Sequence, residues 1–306
     1  MKGRQRRFVD GAPYHACSKG IYGFCIYYSY KDCLVFICRL SVLLRKYGLK
    51  VSAFCLMINH YHILFIDGKK DVVSMLICRL ESEFAQEYNH YHQRHGSLFK
   101  PRFGGAPKVV VKTAVSSLIY IFNNPVIGNI CPKAMDYRWN LLAYRYSDHP
   151  YSLPAVRSKC SRRLTRAFKL VDYYNNHDYA INYDLIDQLF DGLNPAETEQ
   201  LIDFIVSRYR IIDYDQLEKR FGNYENALAA IESTSGSEYD IEDDWDDYGK
   251  YADMVRVLKK LGYPANVNFE TFDSEELNSV YKTLATATGA TRKQLRKFLH
   301  LNRRVT

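Results

Sequence analysis

Two β-rich segments lie almost side by side near residue 60, and each is flanked by a long helical pattern. Residues 51–57 and 61–66 are rich in β-branched and aromatic side chains, which favours strands. Residues 31–47 and 71–94 carry apolar side chains at helical spacing on either side of them. The region therefore has the predicted order helix, strand, strand, helix. This order limits the chain to folds that combine helices with a pair of neighbouring strands.

The rest of the first half extends this pattern into a complete α+β order. Residues 14–18 predict a first strand and Val109 to Val111 a fourth strand. Residues 114–123 predict a third helix, which Asn124-Pro125 would close. The order β-α-β-β-α-β-α is the ferredoxin-like, or split βαβ, arrangement with one added helix. We therefore predict an α+β domain over residues 1–150.

The composition changes after about residue 150. Residues 151–306 carry mainly helical patterns and predict a mostly α-helical accessory region. Within it, residues 233–247 hold seven carboxylates; like charges in series repel, so we expect a solvated linker rather than a metal site. Residues 275–304 read as a helix, a turn at Gly289 and a basic helix. This resembles part of a helix-turn-helix, and the alternative is a helix that only packs.

Charge is divided unequally along the chain of 306 residues. Residues 1–150 hold 21 Lys and Arg and 9 Asp and Glu, a net charge of +12, whereas residues 151–306 hold 21 and 25, a net charge of −4. The basic half suits a polyanion, although solubility alone would also explain it. No run approaches the roughly 18 apolar residues that span a bilayer. Eight cysteines lie mostly in apolar runs, so we expect reduced thiols in a cytoplasmic protein without a membrane partner.

Two histidines at alternate positions form the strongest chemical signal. On a strand, His60 and His62 point to one face and Tyr61 to the other. Two converging imidazoles can hold a divalent metal through neutral ring nitrogens. The alternative is a pair of histidines on a polar strand face without a ligand.

The end of the third predicted helix adds two further candidates. Tyr120 and Asn124 are four residues apart, so they share a helix face. Asn124 offers a side-chain oxygen to a metal. Tyr120 is a poor nucleophile with a free pKa of about 10, but a cation that polarises a phosphate would ease its attack. The alternative is a packing tyrosine, because the chain contains 26 tyrosines.

These candidate residues lie in segments that resemble the motifs of one protein family. Residues 56–62 (LMINHYH) resemble the Leu-Met-Pro-Asn-His-x-His signature of single-tyrosine HUH transposases, and are closest to the REP-associated tyrosine transposases. Four other segments resemble the family's motifs in the same order: 7–15 (RFVDGAPYH), 96–103 (GSLFKPRF), 120–126 (YIFNNPV) and 137–144 (YRWNLLAY). Together they cover most of the first half of the chain.

The resemblance implies a metal-dependent nickase and strand transferase of single-stranded DNA that acts at hairpin or repetitive elements. His60 and His62 would bind Mg²⁺ or Mn²⁺, and Asn124 occupies the position of a third ligand. Tyr120 occupies the position of the nucleophile, which would form a 5′-phosphotyrosine and release a 3′-OH. Relatives include monomers and homodimers, so both states remain open.

One position departs from the family's pattern. Ile58 stands where the family has proline, so the entry to the second strand of the pair loses a rigid residue while both histidines remain. The sequence therefore leaves open how tightly the site binds metal and how fast it would cleave DNA. The alternative function is a DNA-binding regulator of repeat elements whose nuclease site is inactive.

Five basic residues are predicted to contact DNA phosphates: Arg4, Arg6, Arg7, Lys100 and Arg102. For the first three, the alternative is a solvated terminus. Phe99 and Phe103 flank the last two, and basic residues interleaved with aromatic rings suit single-stranded nucleic acid. The alternative places both phenylalanines in the core. Three further histidines are expected at the surface: His90, His92 and His95.

Overall fold

A four-stranded antiparallel sheet forms the centre of the first half. The computed structural model describes residues 7–156, 160–233, 247–264 and 267–301. The strands are β1 (Tyr14–Lys19), β2 (Val51–Met57), β3 (His60–Phe65) and β4 (Gly104–Pro107). They lie in the order β2-β3-β1-β4, and each strand runs antiparallel to its neighbours.

Three long helices accompany this sheet: α1 (Tyr30–Tyr47), α2 (Lys70–Tyr91) and α3 (Val111–Ile127). Helix α1 connects β1 to β2 and α2 connects β3 to β4, so the element and strand orders are those of a split βαβ sheet followed by a helix. Helix α1 begins at a capping box between Ser29 and Asp32 and ends at Gly48, whose positive φ of 62° closes it. The predicted α+β class is confirmed.

The two faces of the sheet are covered by different helices. On one face, the ring of Tyr61 packs against Phe36 of α1 and its hydroxyl donates to Glu81 of α2. On the other face, α3 packs against β2 and β3. The alternation of side chains along β3 therefore decides which residues face α1 and α2 and which face α3.

The predictions for the fourth strand and the third helix were wrong in their bounds. Val109 and Val110 are exposed and lie outside the sheet, and Val111 is already the first residue of α3. The strand is instead Gly104–Pro107, a sequence with little intrinsic preference for a strand, which its pairing with β1 holds in place. Pro125 lies inside α3 and does not end it.

The described elements after residue 150 are helical, as predicted for that half. They are α4 (Arg162–Asn176), α5 (Tyr183–Phe190), α6 (Pro195–Arg208), α7 (Tyr214–Phe221), α8 (Tyr224–Ser233), α9 (Gly249–Lys260), α10 (Ser274–Thr288) and α11 (Arg292–Phe298). Helices α5 and α6 pack on α1, and α8 packs on α3. Most of the acidic stretch 233–247 lies outside the described residues, so its interpretation as a solvated linker stays a prediction.

A buried carboxylate connects the two halves of the chain through hydrogen bonds. Asp32, at the start of α1, accepts hydrogen bonds from the Ser29 hydroxyl (2.9 Å), from the Tyr183 hydroxyl (2.8 Å) and from Nε2 of His92 (2.8 Å). Tyr183 is the first residue of α5. His92 is therefore buried and not at the surface, which corrects the sequence-based expectation; His90 and His95 are exposed, as expected.

Helix α11 packs against the segment that follows β1. Phe298 and Leu299 are buried, and the backbone N–H of Cys25 donates to the carbonyl of Lys297 (3.3 Å). The ring of His300 stacks on Phe24 with 4.7 Å between centroids. The helix predicted as part of a helix-turn-helix thus has a packing role, while Arg292 and Lys293 on it remain exposed.

The cysteine side chains are divided between the core and the surface. All eight cysteines are free thiols, and four of them are buried. Among the described residues, no helix is both long and apolar enough to cross a membrane.

Candidate active site

The side chains of His60 and His62 share the face of β3 that α3 covers. Their rings are perpendicular, with 4.9 Å between centroids. Cys17 of β1 and Cys55 of β2 lie opposite His62 in the two neighbouring strands. Because β3 is an inner strand with partners on both sides, its register fixes the positions of both imidazoles.

Helix α3 brings the two other predicted residues to this pair. Oδ1 of Asn124 lies 3.4 Å from Nε2 of His60. The ring of Tyr120, one turn earlier, stands edge-on to the ring of His62, with 5.6 Å between centroids and an interplanar angle of 85°. The four residues predicted from sequence as metal ligands and nucleophile therefore form one cluster.

The cluster is held in place through the C-terminal part of α3. Pro125 has no N–H, so the carbonyl of Ile121, four residues before it, receives no helical hydrogen bond from this position. Next to it, the amide of Asn140 donates to the carbonyl of Phe122 (3.3 Å), and that of Asn123 donates to the carbonyl of Ile231 in α8 (2.6 Å). These two bonds tie this part of α3 to the segment that contains Asn140 and to α8.

A hydrogen bond selects the tautomer of the neutral His60 ring. Its Nδ1 lies 2.7 Å from Oδ1 of Asn59, and because an amide oxygen only accepts, Nδ1 carries the hydrogen. In the neutral ring, Nε2 then presents a lone pair toward Oδ1 of Asn124. Two electron-pair donors face each other here, and a cation or a proton between them would relieve the opposition.

Asn59 is itself fixed by backbone contacts at the turn between β2 and β3. Its Nδ2 donates to the carbonyl of Gly23 (3.1 Å). The carbonyl of Ile58 accepts from the N–H groups of Ile26 (2.8 Å) and Tyr27 (3.0 Å). The segment after β1 therefore fixes the backbone of this turn.

The structure adds a third histidine that sequence reasoning missed. Nε2 of His15, on β1, lies 2.9 Å from Nδ1 of His62, and both side chains are buried. Strand alternation could have revealed it, because His15 shares the sheet face of Cys17, which is the cross-strand partner of His62. Histidines that ligate metals commonly use their second ring nitrogen for such an orienting bond.

The donor set fits a divalent cation in part. The amide oxygen suits Mg²⁺ or Mn²⁺, whereas imidazoles are more typical ligands of Zn²⁺, Fe²⁺ or Ni²⁺, so Mg²⁺ or Mn²⁺ would need water or substrate oxygens to complete its coordination. The Nδ2 atom of Asn124 is buried without a hydrogen-bond partner in the described residues. The same residues contain no group of three or more His, Cys, Asp or Glu side chains with the arrangement of a metal site; the candidate site therefore depends on Asn124.

Tyr61, the tyrosine between the two histidines, is unsuited as a nucleophile. It points to the opposite face of the sheet, and its hydroxyl donates to Oε1 of Glu81 (2.8 Å). Burial, reinforced by the nearby Glu81 carboxylate, raises the pKa of Tyr61 well above its usual value of 10. Tyr120 faces the histidine pair, whereas Tyr61 points to the opposite face of the sheet.

A second unpredicted residue covers the cluster from the C-terminal half. The ring of Tyr248 lies against His60, with 5.5 Å between centroids. The four clustered side chains are almost inaccessible: His60 and His62 are 1% exposed, Tyr120 3% and Asn124 5%. A DNA phosphate cannot reach them in this conformation.

The structure describes three of the five residues that were predicted to contact DNA. Arg7, Lys100 and Arg102 are exposed, whereas Arg4 and Arg6 lie outside the described residues. Phe99 and Phe103 are buried, and the ring of Phe99 contacts Tyr61 in the core. The two phenylalanines therefore follow the core alternative and are not presented for base stacking.

Comparisons with known proteins give little support beyond this geometry. Neither a family model nor a curated protein matches the chain. One solved structure that is similar to part of the chain is described as a REP-associated tyrosine transposase bound to a REP hairpin; it is 16% identical over 45% of this chain and 81% of that chain, with a TM-score of 0.39. A similarity of this size identifies neither fold nor function.

Proposed function

We propose that the chain is a metal-dependent transposase-type nuclease that cleaves single-stranded DNA next to a hairpin and transfers the cleaved strand. The observation that carries the proposal is the juxtaposition on one sheet face of His60 and His62 with Asn124 and Tyr120. The motif resemblance over the first half of the chain supports the same reading. The basic charge of that half suits the polyanionic substrate.

Each side chain has a distinct task in this mechanism. The oxygen of Tyr120 attacks the phosphorus as the bond to the 3′ oxygen breaks, which leaves a 5′-phosphotyrosine and a free 3′-OH. The phenol loses one proton and the 3′ oxygen gains one, so the exchange is neutral overall. Attack by a 3′-OH on the phosphotyrosine reverses the step and joins strands without a nucleotide cofactor.

The remaining residues orient the phosphate. His60, His62 and Asn124 would hold Mg²⁺ or Mn²⁺, which supplies positive charge to the scissile phosphate when bound. His15 fixes the ring of His62, and Asn59 fixes the tautomer of His60. These hydrogen bonds hold the imidazoles in one orientation before the substrate arrives.

The burial of the cluster favours a second candidate function. A protein with the same fold and exposed basic residues, but a permanently closed histidine pair, would bind hairpin DNA as a regulator without cleaving it. This candidate predicts DNA binding that is unchanged by Tyr120→Phe and by chelation of metal.

A test for a covalent protein–DNA complex distinguishes the two. Labelled oligonucleotides that carry a hairpin and a randomised single-stranded flank are incubated with the full chain and Mn²⁺, then run on a denaturing gel. We expect an adduct that is lost in Tyr120→Phe and kept in Tyr22→Phe, a matched change at an exposed tyrosine. A shift in a native gel without any adduct would instead favour the regulator.

A further inference from the structure

The outer face of helix α4 carries positive charge in an otherwise acidic half of the chain. Between residues 149 and 171 the sequence has six Lys or Arg and no Asp or Glu, although residues 151–306 have a net charge of −4. The inner face of α4 is apolar, and Leu164, Ala167 and Val171 are buried there, where the helix packs against α6 and α5. The outer face presents three exposed basic side chains, which we define as the basic stripe: Arg162, Arg166 and Lys169.

The basic stripe runs along one side of the helix. Its members are four and three residues apart, a spacing that places side chains one above another on an α-helix. In the described part of the chain, no carboxylate forms an ion pair with any of the three. The next acidic residue on the helix, Asp172, instead pairs with Arg208 of α6 (2.8 Å). The positive charge of the basic stripe is therefore directed toward the solvent.

Three exposed rings continue the stripe at the C-terminal end of α4. Tyr173 lies four residues after Lys169, so it falls on the same side of the helix, and it is 51% exposed. The ring of His177 lies 4.2 Å from that of Tyr173, and the ring of Tyr179 is stacked with His177 at 5.9 Å, both measured between centroids. We define these three residues as the aromatic cluster.

The aromatic cluster is fixed by hydrogen bonds to the backbone. Nδ1 of His177 lies 2.7 Å from the carbonyl oxygen of Tyr173, and it donates because a carbonyl oxygen only accepts. The hydroxyl of Tyr209 donates to the carbonyl of Tyr179 (2.7 Å). Asp178, between the second and third rings, has a positive φ of 56°, which turns the chain back toward the helix. Rings held in this way lose little conformational freedom when a ligand stacks on them.

We propose that the basic stripe and the aromatic cluster together form a second binding surface for single-stranded DNA. The stripe neutralises phosphates of the backbone and the rings stack on bases, which is the combination that single-strand-binding proteins use. A duplex offers phosphates but keeps its base faces covered, so the rings favour a single strand. The binding does not require cleavage at Tyr120; only the choice of DNA over RNA rests on the proposed function.

This surface lies on the side of the sheet opposite the candidate active site. Helix α4 packs on α5 and α6, and these two helices pack on α1. Helix α1 covers the sheet face of Tyr61, not the face of His60 and His62. The surface therefore holds a second stretch of DNA rather than the scissile one, and a stretch bound there raises the local concentration of the rest of the strand around the chain.

Photocrosslinking tests this surface at individual residues. An oligo(dT) strand that carries one 5-iodouracil and forms no hairpin is irradiated with the full chain in EDTA, and the crosslinked residues are located by peptide mass spectrometry. Iodouracil reacts with aromatic rings that stack on it. We expect crosslinks at the aromatic cluster, with a half-saturating DNA concentration that rises with salt, because binding to phosphates releases counterions.

Two variants separate the charge from the stacking. Replacing Arg166 and Lys169 with glutamine removes two phosphate contacts, so the slope of log half-saturation against log salt should fall by about 1.4. Tyr173→Ala removes one ring, and the half-saturating concentration measured at His177 and Tyr179 should rise by about fivefold or more. Matched controls change exposed residues of the same types at other places and should leave both values unchanged: Lys219→Gln together with Arg220→Gln, and Tyr146→Ala.

Thermal unfolding should show that every variant is folded, and competitors identify the ligand. Absence of crosslinks at the aromatic cluster, or crosslinks that neither variant weakens, would overturn the inference. Competition by poly(glutamate) as strong as that by unlabelled oligo(dT) would indicate an acidic protein as the partner, and stronger competition by oligo(rU) would indicate RNA; either result would overturn the assignment to DNA.

The crosslinking result is independent of the covalent adduct at Tyr120. Crosslinks at the aromatic cluster without an adduct in the denaturing gel support the second surface and contradict the proposed function. An adduct without these crosslinks supports the proposed function and removes the second surface.

Discussion

The Nε2 atom of His15 lies 2.9 Å from the Nδ1 atom of His62, between side chains of neighbouring strands. Because Nδ1 is engaged in this bond, the ring of His62 would bind a metal through Nε2. The bond therefore links β1 to the proposed ligand set and gives the first strand a part in the site.

The first prediction concerns this positioning bond. Replacing His15 with alanine removes the group that orients His62, and we expect the affinity for Mn²⁺ to fall by about 10–100-fold. Isothermal titration calorimetry of the full chain measures this affinity. His15→Gln, whose amide can restore the hydrogen bond, should recover part of it, and His95→Ala at an exposed position should have no effect. Unchanged Mn²⁺ binding in His15→Ala would show that the bond does not position a ligand.

The second prediction concerns the exposed basic pair Lys100 and Arg102. If both neutralise phosphates of a single strand, replacing them with alanine should reduce the slope of log affinity against log salt by about 1.4. Fluorescence anisotropy of a labelled hairpin with a single-stranded flank, at several salt concentrations, gives this slope. The control is the double alanine variant of Lys259 and Lys260, two exposed lysines of α9. A slope equal to that of the wild type would place the DNA elsewhere.

The third prediction is a pH dependence that arises from His300. Its Nε2 donates to the carbonyl of Cys25 (2.8 Å), and burial lowers the pKa of its ring from 6.5 to about 3. The folded protein thus binds fewer protons than the unfolded chain between these values, so stability is complete above pH 6.5 and is lost as pH falls toward 3. We expect a contribution on the order of 5 kcal/mol once the pH has fallen to 3.

Urea unfolding at pH 7.5, 6 and 5 tests the role of His300. In His300→Gln, which keeps a hydrogen-bond donor and does not titrate, the loss of stability with falling pH should be smaller than in the wild type. His90→Gln, at an exposed position, should retain the wild-type dependence. Parallel curves for the wild type and His300→Gln would exclude His300 as the source.

The fourth prediction concerns the carboxylate that joins the halves. Asp32→Ala would leave the buried groups of Tyr183 and His92, and the half-buried hydroxyl of Ser29, without their acceptor, and we expect the free energy of unfolding to fall by about 3–5 kcal/mol. Chemical denaturation measures this, with the exposed Asp191→Ala as the control. A loss below about 1 kcal/mol, typical of surface substitutions, would show that the network does not couple α1 to α5.

The hairpin at the centre of the sheet could be predicted because its signals are local. The bounds of β2 agree with the sequence pattern, and β3 begins one residue before the predicted position, at His60. The face shared by His60 and His62 follows from strand alternation alone. By contrast, Val109 to Val111 has the composition of a strand but precedes a helix, and the actual β4 is selected by its pairing with β1.

The parts of the candidate site that were missed depend on contacts between distant residues. Tyr248 meets His60 although 188 positions separate them along the chain, and no local pattern specifies such a contact. His92 was assigned to the surface because it lies among polar residues at the end of a helix. Its burial results from Tyr183 and Asp32, which approach it from two other elements.

The register of β3 has a consequence for how this chain can vary in length. Side chains alternate along the strand, so a shift by one residue would turn His60 and His62 toward Phe36 and α2 and bring Tyr61 to the side of α3. A single insertion or deletion that shifts this register would thus remove the site while keeping every residue that forms it. Related chains should keep the spacing from Val51 to Phe65 constant.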